Sequence, residues 1–103
     1  MANTFKNYTS TVTDAVQTTV YTVPASTTSV IIGLNLANTD TDQITASVRV
    51  AGTHIVKDAP IPSGAALSVL DGKIIAEAAD VITVQSSSAT GDLDVILSVL
   101  EQT

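Results

Sequence analysis

Along the chain, apolar and polar side chains alternate in short stretches, the period of a pleated strand rather than of a helix. Residues 18–23 form one such run, which ends at Pro24, a residue with no N–H to give to a ladder. After a turn over residues 24–28, Val30, Ile32, Leu34 and Leu36 alternate against Ser29, Ile31, Gly33 and Asn35. The first set is expected to face the core. A polar turn over residues 38–42 follows, and then Ile44, Ala46, Val48 and Val50 alternate against Thr45, Ser47 and Arg49. These two strands are expected to form a hairpin. A short run over residues 53–57 leads to a loop at residues 58–64 that holds two prolines and a glycine. Residues 65–70 and 73–77 flank Asp71-Gly72, a strong signal for a hairpin turn because both positions favour positive φ. The Ala-rich piece 74–79 is too short and too uncapped for an independent helix and reads as strand. Residues 80–85 and 93–100 are the last two strands.

About eight short strands with turns every 8–12 residues predict an all-β chain, a single-domain antiparallel β-sandwich of jelly-roll or Ig-like type over residues 18–103. Sixteen Thr, thirteen Val and nine Ile, all β-branched, favour the same class. Residues 1–17 are polar and Thr/Ser-rich, and read as an extended arm or weak edge strand anchored by Phe5 and Tyr8. The last strand is apolar on both faces, because Ile96 and Leu100 oppose Leu93, Val95, Leu97 and Val99. The same excess surrounds Ile31 and Ile74-Ile75. At roughly 25 cal/mol per Å², such surface is costly to leave in water, and patches of this kind mark protein contacts. Phe5, Tyr8, Ile31, Ile74, Ile96 and Leu100 are therefore the candidate protein-contact residues.

Composition narrows the chemistry. The 103 residues carry 4 Lys/Arg against 10 Asp/Glu, a net charge of −6, with 45% hydrophobic residues and no cysteine. Four scattered cations cannot neutralise a row of phosphates, so nucleic acid is not an expected partner. The longest apolar run, residues 30–34, is far short of the roughly 20 residues that cross a bilayer, so no membrane partner is expected. The first residues lack the apolar run of a secretory signal, so the chain is expected to be made in the cytoplasm and is not marked for export by the usual route. Without thiols there is no disulfide, thiolate metal site or cysteine nucleophile, and nothing calls for a cofactor.

Three constellations remain. His54, the only histidine, has no Gly-x-Ser-x-Gly elbow to serve, and reads as a strand-end or loop residue. Asn38, Asp40 and Asp42 place oxygens at alternate positions, but Gln43 and Arg49 stand where a calcium loop needs glycine and glutamate, so an Asx-type turn is the better account. A divalent cation there stays open. Asp92 and Asp94, two apart, could share a strand face as glycosidase carboxylates do, yet three aromatics offer few sugar platforms. No enzyme is expected.

The stretch Tyr21-Thr-Val-Pro-Ala-Ser-Thr-Thr-Ser-Val-Ile-Ile-Gly-Leu-Asn-Leu-Ala-Asn38, followed by Lys57-Asp-Ala-Pro-Ile-Pro-Ser-Gly64, Ala79-Asp-Val-Ile82 and Val95-Ile-Leu-Ser-Val-Leu-Glu101, resembles small virion structural proteins of tailed bacteriophages, particularly cyanophages and related marine phages. The likeness runs from Tyr21 to Glu101. It implies a β-sandwich component of the virion, favoured as a capsid decoration or cement protein, with no active-site residues to carry over. The expected partners are further copies of the chain, as a homotrimer, and the major capsid protein or another virion protein. Two alternatives stay open: a tail, baseplate or fibre-associated structural protein, and a module for host glycans or another small ligand on the loops at 38–43, 58–64 and 86–92.

Overall fold

In the computed structural model, which describes residues 3–69 and 73–103, the chain forms nine strands and, among the described residues, no helix. They are β1 (Asn3–Val12), β2 (Thr18–Thr22), β3 (Thr28–Asn38), β4 (Ile44–Val50), β5 (Thr53–Ile61), β6 (Ala66–Ser68), β7 (Ile74–Ala76), β8 (Val81–Ser86) and β9 (Leu93–Gln102). One sheet has five strands in the order β1-β9-β3-β6, with β7 on the same edge of β3 as a separate short pairing. The other has four, β2-β8-β4-β5. Every pairing is antiparallel, and the two sheets enclose one apolar layer, as a β-sandwich does.

That layer follows the alternation read from the sequence. Leu93, Val95, Leu97 and Val99 of β9 face Ile82 and Val84 of β8 and Ile44, Ala46 and Val48 of β4, all buried. The extent of β1 is greater than an arm: residues 3–12 pair with β9 over ten consecutive positions, from Asn3 opposite Gln102 to Val12 opposite Leu93, and Val12 joins the core. A Thr-rich strand with one inward valine looks too polar for a sheet from its sequence. It is held because β9, apolar on its inner face, gives it a full ladder.

Three expectations are corrected. Val30 and Ile32 do not face the core. The β3–β9 register shifts between Ile31 and Gly33, so that Ile32 is an extra residue in a bulge, and the alternation changes phase there. Ser29 and Ile31 point inward before the bulge, Leu34, Leu36 and Asn38 after it. The β3–β4 hairpin does not form either: β3 lies in the five-stranded sheet and β4 in the four-stranded one, so residues 39–43 cross between layers. Buried Asn38 makes the corner, its amide donating to the carbonyls of Asp42 and Ile61 at 2.9 Å each while its oxygen accepts the Asp40 N–H at 2.8 Å. Asp71-Gly72 lies outside the described residues, and the two strands flanking it each pair with β3 rather than with one another.

Candidate functional site

The outer face of the five-stranded sheet is where the molecule departs from an ordinary water-facing surface. On β9 the outward positions are Asp94, Ile96, Ser98, Leu100 and Gln102. The register sets Phe5 of β1 on one side of Leu100 and Val30 of β3 on the other, and Val30 in turn opposes Ile75 of β7. An apolar row therefore crosses four strands, Phe5–Leu100–Val30–Ile75, on the outside of the sheet. Phe5 is 73% exposed, Ile75 65%, Ile96 48% and the bulge residue Ile32 41%. A shallow depression of about 270 Å³ lies beside the row, lined by Phe5, Lys6, Asn7, Ile32, Ser98 and Val99. Bulging Ile32 out adds it to this patch, so the same irregularity that protects the core phase enlarges the apolar exterior.

Of the six residues singled out from the sequence, Phe5, Ile96 and Leu100 lie on this face, with Leu100 half-covered. Ile31 does not: it is 1% exposed, turned inward by the bulge beside it. Ile74 is half-buried against the core, and its neighbour Ile75 takes the outward place. Tyr8 faces the interior rather than a partner, because it sits opposite Leu97 on the inner side of the β1–β9 pair.

Charge is nearly absent from the face. Its strands project one carboxylate, Asp94, which lies at the far end and accepts a hydrogen bond from Thr11 Oγ1 at 3.0 Å. The rest are Phe5 and Asn, Thr, Ser, Gln and aliphatic side chains. The border of the face is also unusual. β1 is an edge strand of ten residues with no proline, glycine or bulge, and Lys6 is its one charge. The opposite extreme is β5, the edge of the other sheet, which carries Pro60, Lys57 and two register shifts. Such features discourage pairing with foreign strands, and of them β1 has only the lysine, Lys6, which is engaged with Glu101.

What holds β1 in place is a polar cluster at the seam between the sheets. Glu101 continues the inward phase of Val95, Leu97 and Val99 and is buried. Its Oε2 accepts from Tyr21 Oη at 2.6 Å and from Tyr8 Oη at 2.9 Å, and Lys6 Nζ lies 3.3 Å from its Oε1. The Tyr21 hydroxyl also meets Ser29 Oγ at 2.5 Å, and the two tyrosine rings stack with centroids 4.5 Å apart. The Tyr21 hydrogen bond, helped by those from Tyr8 and Lys6, outweighs burial and holds the Glu101 carboxyl below its usual range. Burial, with the adjacent carboxylate, pushes Tyr21 up to about 12 and raises Tyr8 as well, while Glu101 raises Lys6. At the other end of β1, Gly91 (φ 78°) approaches the backbone so closely that an added Cβ would sit 2.1 Å from the Val12 carbonyl oxygen. The sequence contained a signal for this cluster: a glutamate in phase with an apolar inner face requires partners, and the chain has two tyrosines.

The remaining candidates separate. His54 Nε2 accepts from Arg49 Nε at 3.0 Å, which occupies the nitrogen a serine-activating base would use. Asp40 closes an Asx-type turn, its Oδ1 accepting the Asp42 N–H at 3.3 Å. Asp92 adopts φ 55° before β9 begins and accepts from Ser88 and Thr90, so the alternation that would align it with Asp94 does not apply. No protein-family model and no curated protein sequence matches this chain.

Proposed function

We propose that this chain is a non-enzymatic structural protein of a phage virion, most simply a capsid decoration protein, and that its copies meet as a homotrimer through the outer face of the five-stranded sheet. The observation that carries the reading is the apolar row Phe5–Leu100–Val30–Ile75 with Ile32 and Ile96, exposed on strands that project one carboxylate. A chain of charge −6 repels its own copies over most of its surface. This face is where like copies can approach without opposing charges. The regular β1 edge beside it, with no proline or bulge, offers backbone donors and acceptors to the same neighbour. The resemblance over residues 21–101 supplies the virion context, and three linked copies would hold a capsid more firmly than one through effective concentration. The N-terminal segment is not counted as a separate arm reaching to a partner, because residues 3–12 are already paired with β9 in the single chain.

Sedimentation equilibrium at increasing concentration tests the assembly. The expected result is a trimer for the parent chain and a monomer with unchanged circular dichroism for Phe5→Asp/Ile96→Asp. A parent chain that remains monomeric at millimolar concentration overturns it. Copy number and position in a density map of the particle test the location: several hundred copies on the head support decoration, and a few at the tail overturn it in favour of a tail component.

A further inference from the structure

The outer face of the four-stranded sheet carries a second, independent feature. Thr45, Ser47, Arg49, His54, Lys57, Asp58 and three β8-end residues enclose a cleft of about 130 Å³. Two of the chain's four Lys/Arg and its only histidine meet here, in a protein of net charge −6. Among the described residues Lys6–Glu101 is the one ion pair within 4.0 Å, so neither Arg49 nor Lys57 is neutralised by direct contact. Local structure builds the arrangement. Ala46 pairs with Ala59 and Val48 with Val56, which leaves Lys57 and Asp58 together opposite Ser47 in a bulge. Asp58 takes φ 50° there, its N–H donating to Ser47 Oγ at 2.9 Å. His54, opposite Arg49, accepts from the guanidinium Nε and so fixes the plane of the group, and no other hydrogen bond occupies Arg49 among the described residues. The Ser87 hydroxyl oxygen accepts the Thr45 N–H, which leaves its own proton free to donate. On the same row Thr83, register partner of Arg49, is buried with its hydroxyl unpartnered.

We propose that this cleft binds a single oxyanion group, a phosphate or a carboxylate, with Arg49 and Lys57 as its cationic ligands. An oriented guanidinium with unoccupied donors suits such a planar or tetrahedral acceptor. The oxyanion is either a free ion or the side chain of an acidic segment. Asp58 is the one carboxylate in the lining, and it opposes binding.

The test is a 1H–15N titration of the intact protein at low ionic strength, with inorganic phosphate in one arm and a short polyglutamate peptide in the other. Expected are saturable shifts at the Arg49 Nε–H and at the amides of residues 45–49, 54–58 and 85–87. Arg49→Gln and Lys57→Gln each weaken binding about tenfold, the effect of one charged hydrogen bond. Asp58→Asn tightens it, since asparagine tolerates the same left-handed backbone. Saturation by phosphate supports a free ion, and saturation by the peptide alone supports an acidic segment. No saturable shift in either arm, or shifts that survive both Gln variants, overturns the site. The outcome is independent of self-association, because the two sheet faces point in opposite directions.

Discussion

The two exteriors of this sandwich are both built from strands rich in β-branched residues and end in opposite chemistry. The four-stranded sheet turns Thr45, Ser47, Arg49 and Gln85 to the outside, and its edge strand β5 is bent by bulges and interrupted by Pro60. The five-stranded sheet turns out Phe5, Ile32, Ile75 and Ile96, and its edge strand β1 is regular. A chain able to clothe one sheet in hydroxyls and amides has no compositional need to leave isoleucine on the other. The apolar exterior is therefore a feature of that sheet rather than a by-product of a β-branched sequence.

The sharpest way to break the contrast lies within one strand. Leu97 and Ile96 are neighbours on opposite faces of β9. Leu97→Ala is expected to lower unfolding free energy by about 3 kcal/mol, whereas Ile96→Ala changes it by less than about 0.5 kcal/mol. Urea denaturation of both variants, at concentrations where the chain is monomeric, checks this. Equal losses would mean that Ile96 is sheltered within the single chain. Next in size are the face variants: in the assembled protein, Phe5→Asp or Ile96→Asp is expected to weaken association by about 2 kcal/mol each, the scale of a buried interface anchor. Thr45→Asp, on the other sheet, should leave sedimentation unchanged.

The seam gives an intermediate effect. Glu101→Gln keeps the shape but loses the charged acceptor of two tyrosine hydroxyls and the Lys6 contact, and is expected to destabilise by about 1–2 kcal/mol. Its pH dependence has a defined sign. The folded-state pKa of Glu101 is depressed, so its contribution is present above the unfolded value near 4.5 and is lost as pH falls through the folded one. Tyr21 acts at the other extreme: with its pKa raised from 10.0 to about 12, stability falls as pH rises across that interval. Thermal melts over pH 2–12 should show both limbs in the parent chain. Glu101→Gln should flatten the acid limb, and Tyr21→Phe the alkaline one. Smallest is Thr19→Ile on the four-stranded sheet, expected to alter stability by less than about 0.5 kcal/mol and to create no association. A new oligomer from that change would show that any apolar outward residue suffices, and the distinction between the faces would fail.

Period-two patterning revealed the class of fold and most inward positions, since burial on one face is a local property of a strand. It missed events that depend on a partner strand. Nothing in Val30-Ile-Ile-Gly33 announces that the ladder with β9 will skip Ile32, and that one skip reversed the assignments of Val30, Ile31 and Ile32. Likewise the turn at residues 38–42 was legible, but whether it folds back or crosses between layers depends on which strand is already beside β3, and that place belongs to β9. The apolar excess around Ile96 and Leu100 was visible in the residues. For the cluster at Glu101 the residues showed only that an in-phase glutamate needs partners, and for the cleft at Arg49 nothing, because each draws on residues from several strands far apart in sequence.

The ten-residue ladder between β1 and β9 has one more consequence, for the order of events during biosynthesis. β1 must wait for β9, about ninety residues later, before its ladder can form, and a pairing of such sequence separation slows closure of the sheet. Until then its Thr- and Asn-rich composition, rather than a greasier one, keeps the waiting segment soluble.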